Sequence, residues 1–201
     1  MFASNAVRLA VQTLLPARVR SIFARGHFFE ARTREHLVTA GFTFAPTEAC
    51  EFVALNGDLQ GHSDGVVLRA PAMPGIYFPT PCIWEHKALN AKNWRAVARD
   101  GLEKTFLRYA VQIALYQFFL DKLNPALVSV ANADSCELLH FTLPFDPKLA
   151  ELWIKRAAEV IAATRKGELL PRAYDSPDDW RCKICEHRER CWGEGSASAS
   201  P

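Results

Sequence analysis

The sequence predicts an α/β fold in which a mixed central sheet is flanked by helices. Apolar runs of strand length alternate along the chain with longer segments whose apolar residues recur at helical spacing. The 201 residues and the 49% hydrophobic content are enough for one hydrophobic core. No apolar run reaches the ~18 residues of a membrane span, and the net charge of +2 selects no partner by itself. We therefore expect a globular protein without a membrane span.

The chain is predicted to begin with two helices. Asn5–Leu15 has apolar residues at helical spacing. A second helix is expected from Ala17 to about Ala40, before Gly41 as a C-cap. The stretch Met1–Phe29 contains four arginines and no acidic residue, a composition that organellar transit peptides share. We favour an ordinary helical start to the domain, because the chain continues smoothly into the fold.

Strands joined by a tight turn come next. Glu51–Leu55 has the composition of a strand, and Asn56-Gly57 after it is the strongest short signal for a β-hairpin. Asp58–Arg69 is predicted as the return strand. Four prolines and a glycine between positions 71 and 81 indicate a loop, and Cys82–Ala88 is predicted as a further strand.

The second half of the chain is also predicted to alternate helices and strands. Ala91–Lys122 is expected to form one long helix or two abutting helices with a break near Asp100-Gly101. Ala126–Ala131 and Cys136–Leu143 follow as strands, and Asp146–Lys166 follows as a helix. The predicted organisation is an N-terminal helix at 1–16, a core at 17–145, a C-terminal helix with a cysteine cluster at 146–192, and a disordered tail at 193–201.

Three charged residues stand out in the centre of the chain. Glu85 and Lys87 flank His86 in a predicted strand, where alternate residues share a face. Asp64 lies in the preceding strand, so it approaches this face if the two strands pair. Two carboxylates suit a hard cation such as Mg²⁺ or Mn²⁺, which activates a water and neutralises charge on a phosphoryl group. The alternative is a solvated strand edge with an incidental Glu–Lys pair.

Four local motifs occur in order around these residues. They are Gly26-His-Phe-Phe-Glu30, Gly61-His-Ser-Asp64-Gly, Glu85-His-Lys87 and Gln112-Ile-Ala-Leu-Tyr116. With these motifs and this order of elements, the chain resembles the PD-(D/E)xK nuclease superfamily, specifically its RecB-like exonuclease branch, which includes CRISPR-associated and phage-type exonucleases. The resemblance extends from Ala17 to Trp192 and implies a restriction-endonuclease-like core with the element order αβββαβ.

The resemblance implies a set of metal ligands. Asp64, Glu85 and the backbone carbonyl of His86 would coordinate the catalytic Mg²⁺ or Mn²⁺. Glu30 would complete the site, and we prefer it for its spacing from the glycine of the first motif. His27 lies one helical turn away and is the alternative ligand.

Further residues are expected to act on the substrate. By the resemblance, Lys87 assists the attacking water, and Gln112 and Tyr116, four residues apart on one helix face, support the site or contact DNA. An aromatic core stripe is the alternative for this face, including Tyr109. Basic residues also cluster after the strand that carries Glu85 and Lys87, where they suit contacts to the phosphate backbone of DNA. The candidates for DNA binding are Lys92, Trp94, Arg95, Lys104 and Arg108, with Trp94 stacking on a base. A normal solvated helix face is the alternative.

Three of the six cysteines crowd the C-terminus in a C-x2-C-x5-C pattern: Cys182, Cys185 and Cys191. This density without a disulfide framework favours metal ligation in a reducing compartment. The pattern is similar to the C-terminal triad of the iron–sulfur RecB-like nucleases, which implies a [4Fe–4S] cluster closed by an upstream cysteine. Cys50 is the candidate for that ligand, whereas His187 would suggest a Cys3His zinc site. Either metal would clip the tail to the core. Cys82 and Cys136 are expected to be small strand hydrophobes.

The predicted function is metal-dependent hydrolysis of phosphodiester bonds at DNA ends, by an exonuclease of phage or prophage recombination or of DNA repair. We expect a cytoplasmic enzyme, in a bacterium or a phage-infected host, that acts with a recombination partner protein or as a homo-oligomer. Two alternatives stay open: a structure-specific or restriction-type endonuclease, and a non-catalytic nucleic-acid-binding assembly factor. Intact Asp64, Glu85 and Lys87 argue against the non-catalytic alternative.

Overall fold

A computed structural model describes residues 16–72 and 78–193 of the chain. Its first helix, α1 (Ala17–Thr39), confirms the second of the two predicted helices. Gly41 has a φ of 99°, and the backbone N–H of Phe42 donates to the carbonyl of Leu37 at 3.0 Å, which ends the helix as a glycine C-cap does. The helix predicted at Asn5–Leu15 and the tail from residue 194 onward lie outside the described residues.

The described residues form a five-stranded mixed sheet and a separate two-stranded sheet. The strands are β1 (Thr43–Phe44), β2 (Glu51–Ala54), β3 (Leu59–His62), β4 (Gly65–Arg69), β5 (Cys82–Leu89), β6 (Ala126–Asn132) and β7 (Leu138–Leu143). The large sheet has the order β1-β4-β5-β6-β7; β5 and β6 are parallel, and the other pairs are antiparallel. The predicted mixed sheet is therefore confirmed.

The predicted hairpin is confirmed, but its return strand is not continuous. β2 and β3 pair antiparallel across a turn in which Asn56 and Gly57 have φ values of 58° and 92°. The chain then leaves the small sheet, and β4 joins the large sheet. Ser63, at the break, is buried, and its backbone N–H donates to the Cys50 carbonyl at 2.9 Å. Asp64 therefore sits where the chain passes from one sheet to the other.

The segment predicted as one or two helices forms three: α2 (Ala91–Asp100), α3 (Leu102–Thr105) and α4 (Leu107–Phe119). Asn90 caps α2, since its side-chain oxygen accepts from the backbone N–H of Asn93 at 2.9 Å. The predicted break falls at Gly101, whose φ is 84°. A second break, at Phe106 with a φ of −141°, is an addition to the prediction.

Hydrophobic cores lie on both faces of the large sheet. One contains Leu37 of α1 with Trp84 and other residues of β4 and β5, and the second contains Ile113 of α4 with Ile83 and Val128. Helices therefore flank the sheet as predicted, and every residue of β6 is buried. The prediction for Cys136 is wrong, because β7 begins at Leu138 and Cys136 lies exposed in the preceding turn.

The helix α5 (Pro147–Lys166) agrees with the prediction, since the Asp146 carboxylate accepts from the backbone N–H of Leu149 at 3.0 Å and Gly167 follows with a φ of 71°. The chain forms two compact units, which divide between Trp153 and Ile154. The C-terminal unit contains two short helices, α6 (Trp180–Lys183) and α7 (Arg188–Trp192). Among the described helices, none is long and apolar enough to cross a bilayer.

Candidate active site

Asp64 lies at the point where β4 and β5 begin to pair. The first partners are Gly65 and Trp84, so β5 beyond Trp84 has no β4 neighbour. There the Asp64 Oδ2 accepts from the backbone N–H of His86 at 2.7 Å. Because the N–H and C=O of one strand residue point to the same edge, the His86 carbonyl also faces the edge that Asp64 occupies. The predicted approach of Asp64 to the Glu-His-Lys strand is confirmed.

Glu85 and Lys87 lie on the face of β5 that packs against α4. The Lys87 ammonium donates to Oε1 of Glu85 and lies 5.0 Å from the centre of the Tyr109 ring. The Glu85 side chain is 1% exposed, and its Oε2 is buried with no hydrogen-bond partner among the described residues. A buried carboxylate oxygen without a partner is costly, so this atom is an acceptor for which the described residues supply no donor.

Burial and mutual repulsion set the charge state of this group. Burial and the neighbouring Asp64 raise the pKa of Glu85 to about 8, against the opposing charge of Lys87. Burial also raises the pKa of Asp64, although Lys87 and the His86 N–H oppose it. Burial works to lower the pKa of Lys87, but the charges of Glu85 and Asp64 outweigh it and raise that pKa. One ammonium therefore faces two crowded carboxyl groups that a further cation would stabilise in their ionised form.

Glu30 approaches this group from α1. Burial raises its pKa first, and the charge of Asp64 raises it further. His27 lies on the outer side, since its Nδ1 is 3.7 Å from the Glu30 Oε2 and its side chain is 77% exposed. The charge of Asp64 thus raises the pKa of Glu30 on α1. The assignment of Glu30 or His27 as a metal ligand stays a prediction.

Arg34 contacts the candidate site and lies outside the sequence motifs. Its Nη1 donates to the backbone carbonyl of Asp64 at 3.3 Å. Its guanidinium group stacks 4.2 Å from the centre of the Phe44 ring and lies 6.0 Å from that of Trp84. Arg34 therefore holds the backbone on which Asp64 is carried. Its position four residues after Glu30, on the same helix face, is the signal that could have identified it.

Gln112 and Tyr116 meet on α4 beside the carboxylates. The Gln112 Nε2 donates to the Tyr116 hydroxyl at 2.8 Å. Burial raises the pKa of Tyr116 first, and the charge of Glu85 raises it further. The Tyr116 ring also packs in the core, 6.1 Å from that of Phe52. Tyr116 is thus part of the core, as the alternative for this helix face predicted, and a role of the two side chains at the site stays a prediction.

The predicted DNA-binding residues divide into two groups. Four of them have exposed side chains: Lys92, Arg95, Lys104 and Arg108. Trp94 is partly buried against the core, and its Nε1 donates to the Val130 carbonyl at 3.0 Å. This anchoring indicates a structural role for Trp94 rather than base stacking.

The donor chemistry around Asp64 fits a hard divalent cation. Within residues 16–72 and 78–193, no three His, Cys, Asp or Glu side chains form a group that could hold a metal ion. Mg²⁺, however, usually takes only one or two protein carboxylates and fills its remaining positions with water and substrate phosphate. Asp64 and Glu85, with the vacant Oε2 of Glu85, provide such a pair.

The C-terminal cysteines line one cleft in their own unit. Cys182, Cys185 and Cys191 face a volume of about 170 Å³ together with three arginines, Arg172, Arg181 and Arg188. All six cysteines of the chain are free thiols. Thiolates are the ligands that soft metals prefer, but, within the part of the chain that the structure describes, the three cysteines line the cleft without forming a group that could hold a metal ion. His187 does not belong to the lining described for this cleft.

Cys50, the predicted fourth ligand, lies in the hydrophobic core of the N-terminal unit. Its Sγ donates to the Pro46 carbonyl at 3.8 Å, and burial raises the pKa of its thiol. A raised thiol pKa disfavours the thiolate, which is the form that binds a metal. The fourth ligand therefore stays a prediction.

Comparison with known proteins leaves the family of the chain open. No protein-family model matches the sequence, and no curated protein matches it significantly. Among solved structures the chain is similar to one described as "Crystal structure of SSO0001", with 17% identity, a TM-score of 0.46, and coverage of 92% of this chain and 75% of that chain. A similarity of this degree assigns neither a family nor a function.

Proposed function

We propose that the chain is a divalent-metal-dependent nuclease with a restriction-endonuclease-like core, and that it removes nucleotides from DNA ends. The observation that carries the proposal is the meeting of Asp64, Glu85 and Lys87 at the point where β4 and β5 separate. Asp64 bonds the backbone of the Glu-His-Lys strand, and Glu85 presents a buried oxygen without a partner beside a lysine. An incidental surface Glu–Lys pair has no reason to be buried and incompletely bonded.

The order of elements supports the finer description of the core. Three strands of the large sheet, β1, β4 and β5, follow α1, and β5 carries Glu85 and Lys87. They are followed by α4 with Gln112 and Tyr116 and by β6 parallel to β5, while the β2–β3 hairpin between β1 and β4 forms its own small sheet. This order is compatible with the αβββαβ arrangement that the resemblance to the PD-(D/E)xK nucleases implies. The support is topological, and activity is the quantity to be tested.

Each residue has a role that follows from its position. Asp64, Glu85 and the His86 carbonyl would hold the cation, with Glu30 as a further ligand on the α1 side. When bound, a divalent cation would supply positive charge and an acidic water. Lys87 is protonated, because its pKa is raised, and it is positioned to stabilise negative charge on a substrate phosphate. Arg34 and the Gln112–Tyr116 pair hold this group in place.

The test uses end-labelled linear duplex DNA and covalently closed circular DNA, each with Mg²⁺, Mn²⁺ or EDTA. We expect degradation of the linear DNA alone, only with metal, and a loss of at least about a hundredfold in Lys87→Ala, the magnitude of removing one stabilising donor. Lys148→Ala, which alters an exposed lysine, is the matched control and should be unaffected. Cutting of the circle would replace the exonuclease by an endonuclease. Binding of DNA without metal-dependent cleavage would leave a non-catalytic DNA-binding protein and overturn the proposal.

We also propose that Cys182, Cys185 and Cys191 bind a structural metal centre, a [4Fe–4S] cluster in preference to zinc. The three thiols line the same cleft. His187, the alternative zinc ligand, is not among the residues described as lining it. Three arginines on the same cleft supply positive charge that suits an anionic thiolate cluster. Iron, sulfide and zinc analysis of anaerobically purified protein tests this proposal, and zinc in place of iron would contradict it.

A further inference from the structure

One face of α1 connects the candidate active site with an uncovered part of the same helix. Arg20, Phe23, His27, Glu30 and Arg34 are spaced by three and four residues in turn, which places them in one stripe. One contact fixes the orientation of this stripe, since the Arg34 Nη1 donates to the Asp64 carbonyl at 3.3 Å. The inner end of the stripe therefore lies at the site.

The outer end of the stripe is exposed and positively charged. Phe23 is 53% exposed, which is unusual for a phenylalanine, and Arg20 is exposed beside it. From Ala17 to Phe29 the helix carries three arginines and no acidic residue, and one of the three, Arg20, belongs to the stripe. An exposed aromatic ring among cations is complementary to a polyanion that offers planar bases, and single-stranded DNA has both features.

We propose that Arg20, Phe23 and His27, here called the outer stripe, bind the single-stranded DNA segment that adjoins the bond to be cut. This inference rests on the proposed function and extends it to the form of the substrate. Phe23 stacks on an unpaired base, and Arg20 binds a backbone phosphate. The ten helical steps from Arg20 to Glu30 span about 15 Å, the length of roughly four nucleotides at 3.4 Å per step. Both contacts are independent of sequence, and the stacking requires an unpaired base.

The helix provides a matched control on another face. Phe28 is 60% exposed, and Arg25 is also exposed. Each lies five residues after its counterpart in the stripe, which is roughly 140° around the helix. Phe28→Ala and Arg25→Ala remove the same side chains from the same helix without altering the outer stripe. Because all four side chains are exposed, the variants are expected to fold.

The test measures binding of the full chain to a fluorescent 12-nucleotide single strand and to the matching blunt duplex, by anisotropy with Ca²⁺ in place of Mg²⁺. We expect Phe23→Ala to weaken single-strand binding at least about fivefold and to change duplex binding less. Arg20→Ala should lower the slope of log K against log salt by about 0.7. Phe28→Ala and Arg25→Ala should each have a smaller effect than their counterparts. Equal losses in Phe23→Ala and Phe28→Ala, or no loss in either, would overturn the inference.

The cleavage assay on the wild-type chain separates this inference from the proposed function. Cleavage by the wild type with equal binding by Phe23→Ala and Phe28→Ala refutes the outer stripe and retains the nuclease. Loss of single-strand binding in Phe23→Ala alone, with no cleavage by the wild type under any metal, retains the stripe as a DNA-binding surface and refutes the nuclease.

Discussion

Replacement of Glu85 by Gln removes an ionisable group that the fold keeps away from water. The side chain is 1% exposed, and burial together with Asp64 raises its pKa from 4.5 to about 8. Because the folded-state pKa lies above the unfolded value, the protonated carboxyl stabilises the fold fully below pH 4.5. That contribution is lost as the pH rises towards and through 8. Wild-type stability should therefore fall over this range more steeply than that of Glu85→Gln.

The magnitude follows from the size of the shift. One pKa unit corresponds to about 1.4 kcal/mol, so the shift from 4.5 to about 8 corresponds to roughly 4 to 5 kcal/mol at full ionisation. Asp64 and Glu30 also have raised pKa values, so the variant should retain a smaller slope of the same sign. A bound cation favours the ionised carboxylate and opposes this loss; a ligand at a hundred times its Kd adds about 2.7 kcal/mol.

Urea unfolding from pH 5 to 9, with and without Mg²⁺, measures these effects. The wild type should lose stability with rising pH in EDTA and regain it with Mg²⁺ at pH 9 more than at pH 6. Glu85→Gln should show a flatter pH profile and little response to Mg²⁺. Glu103→Gln, at an exposed position, should behave as the wild type does. Parallel pH profiles for the wild type and Glu85→Gln would show that ionisation of Glu85 does not set the pH dependence of stability.

Three further predictions concern packing, helix propensity and the C-terminal metal. A Cβ atom at Gly61 would lie 2.3 Å from the Phe52 ring, so Gly61→Ala should lower the free energy of unfolding by about 1–3 kcal/mol. Gly26→Ala has no atom within 4 Å of its Cβ and should raise it by about 0.5–1 kcal/mol in denaturant unfolding, because alanine favours helix; a destabilised Gly26→Ala would contradict this. Cys185→Ala should lower both the bound metal and the melting temperature, whereas Cys136→Ala, outside the cleft, should change neither. Unchanged metal content in Cys185→Ala would exclude the cluster.

Local patterns predicted most of the individual elements. The C-caps at Gly41 and Gly167 and the hairpin at Asn56-Gly57 use positive φ values that these residue types adopt readily. The approach of Asp64 to the Glu-His-Lys strand also followed from sequence, because antiparallel pairing of two consecutive strands depends on short-range order. These features need no information about distant parts of the chain.

Features that depend on contacts between residues far apart in sequence were not predicted. Nothing in the run from Asp58 to Arg69 shows that the chain changes sheets at Ser63, because both halves have strand composition and the break depends on the bond to the Cys50 carbonyl. The fixed indole of Trp94 depends on the Val130 carbonyl, 36 residues away in sequence. Cys136 lies in a turn because the β6–β7 register begins at Leu138.

In the candidate site, too, local motifs predicted some features and long-range packing determined the others. The sequence motifs identified its charged residues, but Arg34 became apparent only from its contact with the Asp64 backbone. The vacant oxygen of Glu85 likewise depends on burial by both the sheet and α4, which spacing does not report. Sequence therefore identified the chemical groups, and the packing identified which of their atoms are available.

The most direct test of the central claim is an anomalous difference map from crystals soaked in saturating Mn²⁺ above pH 8, where Glu85 is ionised. We expect one strong peak in contact with carboxylate oxygens of Asp64 and Glu85 and with the His86 carbonyl, at about 2.1 Å. Crystals that bind Mn²⁺ elsewhere, or not at all, while the Lys87–Glu85 pair stays unchanged would contradict a metal site at Asp64 and Glu85.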